Sequence, residues 1–143
     1  METIRIKYFS DAVPPLCQVD GKSDWIDLYA AETITLRAGE SALIPLGVAM
    51  ALPEGYEAHV APRSSTFKTY GLLQSNGVGV VDSDYRGELK VPMVNLGAEA
   101  YTIQPGERVA QLCIAPVYTA AFVPAEELGD TQRGAGGFGS TGR

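Results

Sequence analysis

The chain of 143 residues is poor in the residue types that build disulfide frameworks, metal centres and membrane spans. Its 2 Cys are too few for a disulfide framework, and its 1 His cannot build a metal site with so few partners. No apolar run approaches the roughly 20 residues that cross a bilayer, and the N-terminal residues do not form a signal peptide. We therefore expect a soluble, intracellular (cytoplasmic) protein with no membrane partner.

Positive charge is also scarce. With 11 Lys and Arg against 17 Asp and Glu, the formal net charge is −6 at pH 7. A nucleic-acid surface needs a broad basic patch, so no nucleic-acid partner is expected. An anionic small ligand remains compatible with this charge if a few placed cations, backbone N–H groups and a divalent cation offset the repulsion.

Long helices are disfavoured by the 16 Gly and 9 Pro. Short apolar or alternating runs recur between turn residues, a pattern typical of an all-β fold, either a distorted jelly roll or a β-sandwich, with about ten strands. One short helix is predicted over residues 62–71, with Ser64 or Ser65 as its N-cap and Gly71 as its end. The length suits one domain, and the sequence has no internal repeat.

Residues 76–95 carry the most informative pattern. Two apolar runs, 78–81 and 89–94, flank the polar residues 82–85, which predicts a β-hairpin with a longer loop. The second run alternates apolar and charged residues, so one of its faces should be buried. Gly77 and Gly79 lack a Cβ and would let a flat ligand approach the backbone.

The C-terminal residues 133–143 are too rich in glycine to hold a regular element without a partner. A disordered terminus is the simplest interpretation. However, Phe138 stands alone among small and hydroxyl residues, between Arg133 and Arg143, which is unusual for a mere tail. We therefore divide the chain into a β domain over residues 1–132 and a mobile, Gly-rich C-terminal arm over residues 133–143.

Five segments resemble, in order, the motifs of the homotrimeric all-β deoxyuridine triphosphatase (dUTPase) family. They are residues 24–30 (DWIDLYA), 62–65 (PRSS), 79–88 (GVVDSDYRGE), 106–112 (GERVAQL) and 133–142 (RGAGGFGSTG). Asp24 and Trp25 stand where the family has Ala-Gly, Ser65 stands where it has Gly, and Lys68 lies one position earlier than the family's lysine. Asp27 and Leu28 therefore carry the first motif, and Lys68 is left without a role.

The resemblance implies Mg²⁺-dependent hydrolysis of dUTP to dUMP and pyrophosphate, which keeps uracil out of DNA and supplies dUMP for dTMP synthesis. By the same resemblance, Asp82 is the general base that activates water. Tyr85 would pack against the deoxyribose and exclude a 2′-hydroxyl. Asn76 and the backbone of Gly79, Val80 and Val81 would hydrogen-bond the edge of uracil.

The remaining site residues are also implied by the resemblance. Phe138 would stack on uracil as the arm closes, Lys90 would line the nucleotide site, and Asp27 would support the metal through water or hold a neighbouring arginine, with Arg108 as its structural partner. The positions that match triphosphate contacts are Arg63, Ser64, Ser65, Gln111, Arg133, Gly139, Ser140 and Thr141.

The family resemblance further implies a homotrimer in which three subunits share each site. A dCTP deaminase of the same fold is the nearest alternative, but the complete motif from Asp82 to Tyr85 speaks against it. A nucleotide-gated regulatory protein, as phage-type dUTPases can be, stays open as an added role with a protein partner. A structural jelly-roll module without chemistry would leave the arm without a use.

Overall fold

The protein was analysed as a computed structural model that describes residues 3–18 and 22–142. In this part of the chain it has eleven strands and one short helix, which confirms the all-β prediction. The strands are β1 (Arg5–Tyr8), β2 (Ile26–Tyr29), β3 (Ile34–Leu36), β4 (Ser41–Pro45), β5 (Val48–Ala51), β6 (Tyr56–Ala61), β7 (Leu72–Gln74), β8 (Gly79–Val81), β9 (Lys90–Asn95), β10 (Tyr101–Ile103) and β11 (Arg108–Pro116). The helix, α1, spans Ser64–Tyr70.

The strands form a four-stranded sheet (order β2-β11-β6-β8), a three-stranded sheet (order β4-β9-β7) and the pairs β1-β5 and β3-β10. Their inward faces build one apolar core, because alternate residues of a strand point to the same side. The most deeply buried side chains include Leu28, Ile44, Met93 and Leu112, which come from both of the larger sheets. The core therefore lies between the layers of a β-sandwich.

The four-stranded sheet determines where the functional residues lie. Gln111 on β11 pairs with Asp27 on β2 and with Ala61 on β6. His59 on β6 pairs with Val80 on β8. Because the intervening residues face the core, this row of side chains lies on the outer face of the sheet.

The predicted helix is confirmed, but its predicted N-cap is wrong. The N-cap is Arg63, and both Ser64 and Ser65 lie inside the first turn of α1. The hydroxyl that closes this turn belongs to Thr66, whose Oγ1 accepts the backbone N–H of Arg63 at 3.0 Å. Gly71 ends the helix in the left-handed conformation (φ 66°), as expected.

The predicted hairpin over residues 76–95 is also wrong. Strand β8 pairs with β6 in the four-stranded sheet, whereas β9 pairs with β4 and β7 in the three-stranded sheet. The loop between β8 and β9 therefore crosses from one layer of the sandwich to the other. The predicted buried face of the second run is confirmed, since Leu89, Val91 and Met93 are all buried. In the described part of the chain, β8 has a strand partner on one side only.

The chain leaves the sandwich at the end of β11. Residues 117–135 are exposed throughout, including large apolar side chains such as Phe122 and Leu128, which are 96% and 95% exposed. Cys113 on β11 is half-buried, and Cys17 is exposed. None of the described helical residues forms a helix long and apolar enough to cross a membrane.

Candidate active site

Asp82 directly follows β8 and begins a tight turn in which the backbone N–H of Tyr85 donates to the carbonyl of Asp82 at 3.2 Å. Its side chain is exposed and lines two depressions, of about 340 Å³ and about 380 Å³. The first lies towards β9, and the second towards Glu57 and Val117. A carboxylate in this position can reach both a water molecule and a ligand seated beside it.

The 340 Å³ depression brings together a large share of the residues assigned to the nucleoside. Val80, Val81, Asp82, Tyr85 and Lys90 all line it. The first two come from an edge strand, the next two from the crossing loop, and Lys90 from the start of β9. The loop that replaces the predicted hairpin therefore shapes a pocket between the two sheets.

Tyr85 is held in place by its neighbours in the crossing loop. Its hydroxyl donates to the carbonyl of Glu88 at 2.9 Å. Its ring lies against Gly87 so closely that a Cβ there would come within 2.4 Å of the hydroxyl oxygen. Because the ring is still 47% exposed, it forms a fixed wall of the pocket with one face available to a ligand.

Asn76 lies in the loop before β8, and its side chain lies over Gly79, the first residue of that strand. Its amide nitrogen lies 3.3 Å from the point that a Cβ on Gly79 would occupy. A free edge presents backbone N–H and C=O groups to whatever lies next to it. Asn76 and residues 79–81 thus form one continuous strip of hydrogen-bonding groups.

A second group of predicted site residues surrounds Asp27 on β2. Its Oδ1 accepts a hydrogen bond from Arg63 Nε at 3.0 Å, and its Oδ2 lies 3.6 Å from Arg108 Nε. Asp27 therefore has two neighbouring arginines where one was expected, and Arg63 is the closer of the two. Gln111 Nε2 donates to the carbonyl of Pro62 at 2.9 Å, which ties β11 to the start of α1.

These two groups lie at opposite corners of the four-stranded sheet. Asp27 is on β2 and Asp82 follows β8, and these are the two edge strands. Asp27 and Asp82 are separated by three strand spacings across the sheet. The pairing of β6 with its neighbours also offsets the two residues by four positions along the strands. The distance between them is therefore roughly 19 Å. Within a single chain, Asp82 and the arginines around Asp27 therefore lie far apart.

The arm residues lie with neither group. In the described part of the arm, Arg133 Nε donates to the carbonyl of Gly136 at 2.7 Å, and the turns around Ser140 are closed by hydrogen bonds within the arm. Phe138 is fully exposed and has a positive φ of 53°, which is uncommon outside glycine. Gly139 and Thr141 follow in the same exposed stretch.

The site residues offer arginine and amide groups rather than a cage of carboxylates. In residues 3–18 and 22–142, no group of three or more His, Cys, Asp or Glu side chains is arranged to hold a metal ion. Both oxygens of Asp27 face arginines. Mg²⁺ commonly uses one or two carboxylates together with substrate phosphates and water. The donor set here fits a cation that arrives on phosphate oxygens.

Sequence reasoning missed one residue beside this site, Gln74. It is only 2% exposed and lies at the end of β7, where it contacts Asn76. The available signal was its position two residues after Leu72, which places a polar side chain on the inward face of a strand.

A β-sandwich that carries an exposed carboxylate beside an edge strand and an arginine group at a helix start has the parts of a nucleotide hydrolase. The family model of dUTPase matches residues 22–142. The chain therefore belongs to the dUTPase family, enzymes that hydrolyse dUTP to dUMP and pyrophosphate.

Individual relatives match most or nearly all of the chain. The chain is 43% identical to the deoxyuridine 5′-triphosphate nucleotidohydrolase of Anaeromyxobacter sp. (strain Fw109-5), with 99% of this chain and 98% of that protein covered. It is 51% identical to the enzyme of the same name from Fusobacterium nucleatum subsp. nucleatum, with 78% and 77% covered.

A solved structure of the Staphylococcus bacteriophage 80alpha dUTPase with dUPNHPP has a TM-score of 0.89 and 27% identity, and each chain is covered completely. This likeness confirms the predicted jelly-roll fold. Phage dUTPases are described with that structure as controlling transfer of virulence genes by a proto-oncogenic G protein-like mechanism.

Proposed function

We propose that this chain cleaves dUTP between the α and β phosphates as a homotrimer in which each active site combines residues of different subunits. The observation that carries the proposal is the separation of roughly 19 Å between Asp82 and Asp27 within one chain. The base and the phosphate-binding arginine must act on one triphosphate. Cyclic symmetry would place the Asp82 corner of one subunit beside the Arg63 corner of the next.

Asp82 acts as the general base. Its exposed carboxylate accepts a proton from a water molecule that attacks the α-phosphorus, and the pyrophosphate leaves from the opposite side. General base catalysis accounts for about 10²–10⁴-fold of the rate. In-line positioning and neutralisation of the phosphate charge supply the remainder.

The pocket beside Asp82 selects the deoxyuridine. Uracil pairs with the strip formed by Asn76 and the free edge of β8. Tyr85 packs against the deoxyribose, and its ring is supported from behind by Gly87, which leaves no room for a 2′-hydroxyl. Lys90 at the rim adds a positive charge near the phosphates.

The corner around Asp27 binds the triphosphate. Asp27 holds Nε of Arg63, so the two terminal nitrogens of the guanidinium remain available for phosphate oxygens. Ser64 and Ser65 in the first turn of α1, together with Gln111, add further donors. Mg²⁺ that arrives with the triphosphate would offset part of its negative charge, and Asp27, whose oxygens also face Arg63 and Arg108, would hold one of the metal's waters.

The C-terminal arm completes the site of another subunit. A stretch as exposed and apolar as residues 117–135 suits contact with a neighbouring surface. Such docking would carry Arg133 to the phosphates and Phe138 onto the uracil ring. Gly139, Ser140 and Thr141 would then offer N–H and hydroxyl donors to the triphosphate.

The base assignment is tested by Asp82→Asn, with Asp84→Asn as the matched control from the same exposed turn. We expect Asp82→Asn to lower kcat by about 10²–10⁴-fold while the Kd for dUPNHPP stays within a few-fold of the parent value. Pyrophosphate release and calorimetry measure the two quantities. Near-normal kcat in Asp82→Asn, or an equal loss in Asp84→Asn, would contradict the assignment.

A second, regulatory role is favoured by the full-length likeness to the phage 80alpha dUTPase. Such a role would use the nucleotide-bound form to engage a protein partner. If it exists independently of turnover, Asp82→Asn loaded with dUTP should still bind that partner, whereas a loss of partner binding in this variant would tie the two roles together.

A further inference from the structure

Gln74 is a buried amide that touches the proposed uracil-reading strip without belonging to it. The residue ends β7, and Leu72, which shares its face of the strand, is apolar and buried. Its side-chain nitrogen donates two hydrogen bonds, one to the carbonyl of Val60 at 2.8 Å and one to Asn76 Oδ1 at 3.0 Å. Both hydrogens of the Gln74 amide are therefore used.

The carbonyl of Val60 fixes which way the Gln74 amide points. A backbone carbonyl only accepts hydrogen bonds, so the NH₂ group of Gln74 must face it and the oxygen must face away. The same NH₂ group then faces Asn76. Two NH₂ groups cannot pair with each other, so Asn76 must present its oxygen to Gln74.

The consequence for Asn76 is that its own NH₂ group faces the other way. Its Nδ2 lies over Gly79, 3.3 Å from the point that a Cβ on that glycine would occupy. Gly79 begins the edge strand whose free side is the proposed uracil site. The chain of contacts thus runs from the backbone of Val60 through Gln74 to the donor end of Asn76.

The arrangement leaves Gln74 Oε1 buried without a hydrogen-bond partner among the described residues. An unpaired buried acceptor destabilises a fold by about 1–3 kcal/mol. A leucine or methionine would remove this unpaired oxygen but would leave the carbonyl of Val60 and Asn76 Oδ1 without the Gln74 donor. The polar side chain at this position is therefore accounted for by the two groups to which it donates, one of which is Asn76.

We propose that Gln74 is a positioning residue for base selection: it locks the Asn76 amide so that the NH₂ group, and not the oxygen, faces the nucleobase. This inference rests on the proposed function, in which Asn76 reads the base. Uracil carries carbonyl oxygens that accept from this NH₂ group. Cytosine places an amino group where uracil has O4, so a locked donor meets another donor and both stay unpaired.

The test compares dUTP hydrolysis by Gln74→Met, Asn76→Ala and the double variant. Each variant is also assayed with dCTP as substrate. Where dCTP turnover is too slow to measure, dCTP is used as a competitive inhibitor of dUTP hydrolysis. We expect Gln74→Met to raise KM for dUTP about 3–10-fold with kcat within 2-fold, and to lower the preference for dUTP over dCTP by about 10-fold or more. Gln104→Met, which removes an exposed amide that pairs with Thr33, is the matched control and should change neither value.

The double variant separates positioning from general structural damage. If Gln74 acts only through Asn76, the double variant should be no worse than Asn76→Ala alone, because the two residues form one unit. Additive losses, or an unchanged base preference in Gln74→Met, would overturn the proposal. If Asn76→Ala itself leaves KM and preference unchanged, the proposed reading of uracil by Asn76 fails instead.

A measurement on the unaltered protein keeps the proposal testable should Gln74→Met not fold. In ¹H–¹⁵N spectra, both side-chain amide protons of Gln74 should exchange slowly and stay unmoved when dUMP is added. The Asn76 side-chain protons should shift on the same addition. The reverse pattern, in which Gln74 responds and Asn76 does not, would refute the orientation assigned to the pair.

Discussion

Mixing two inactive variants gives a direct test of an active site shared between subunits. Asp82→Asn removes the proposed base at one corner of the four-stranded sheet, and Arg63→Ala removes a proposed phosphate donor at the other. Since roughly 19 Å separates these corners in one chain, each intact site would need Asp82 from one subunit and Arg63 from its neighbour. Neither variant alone can supply both.

The expected recovery follows from counting. If equal amounts of the two variants assemble at random into trimers, a subunit with intact Asp82 meets a neighbour with intact Arg63 in about one quarter of the sites. The mixture should therefore regain about one quarter of the unaltered kcat, far above either parent. If both residues served one site within a chain, every site would lack one of them and no recovery would occur.

The assay is pyrophosphate release from saturating dUTP after the chains are unfolded and refolded together, with mixed trimers verified by native mass spectrometry. A matched control mixes the unaltered chain with a chain that carries both changes. Sites shared between subunits again give about one quarter of full activity, whereas sites within a chain give about one half. Verified mixed trimers with only the parents' activity would refute the shared site.

Three further changes have definite expected outcomes. Gly87→Ala would place a methyl group 2.4 Å from the Tyr85 hydroxyl oxygen, so the tyrosine ring would have to move. We therefore expect kcat/KM for dUTP to fall at least about 10-fold and discrimination against UTP to weaken. Hydrolysis of dUTP and UTP measured side by side tests both expectations. Removal of residues 133–143 should leave the thermal unfolding midpoint nearly unchanged and severely reduce dUTP turnover, and wild-type turnover would exclude the arm from the site. Asn95→Ala should lower the free energy of unfolding by about 2–4 kcal/mol in urea titrations, because this fully buried amide pairs with three backbone groups, one at the end of β3 and two in the loop after β9.

The sequence carried enough information for the elements and the family, because those depend on local patterns. Alternation placed Leu89, Val91 and Met93 on a buried face, and the structure agrees. Glycine at position 71 signalled the helix end, since a left-handed conformation there favours that residue. Each of these features depends only on residues that lie within a few positions of one another in the sequence.

The errors arose where the outcome depends on distant residues. Period-2 alternation identifies a strand and its faces but not its partner, so two strands close in sequence were assigned to one hairpin although β8 and β9 belong to different sheets. The cap at Arg63 was missed because Thr66 supplied the hydroxyl from inside the helix. The pairing of Asp27 with Arg63 joins residues 36 positions apart, and the local sequence pattern does not predict a contact between residues so far apart in the chain.

The free side of β8 has a consequence for the behaviour of the protein in storage. An uncovered strand edge invites another chain to add to it, which is a common route to aggregates. Here the edge is three residues long and ends in the tight turn at Asp82, too short a template for stable addition. A nucleotide lying along that edge would also shield it. This edge should therefore contribute little to precipitation, with or without dUMP in the buffer.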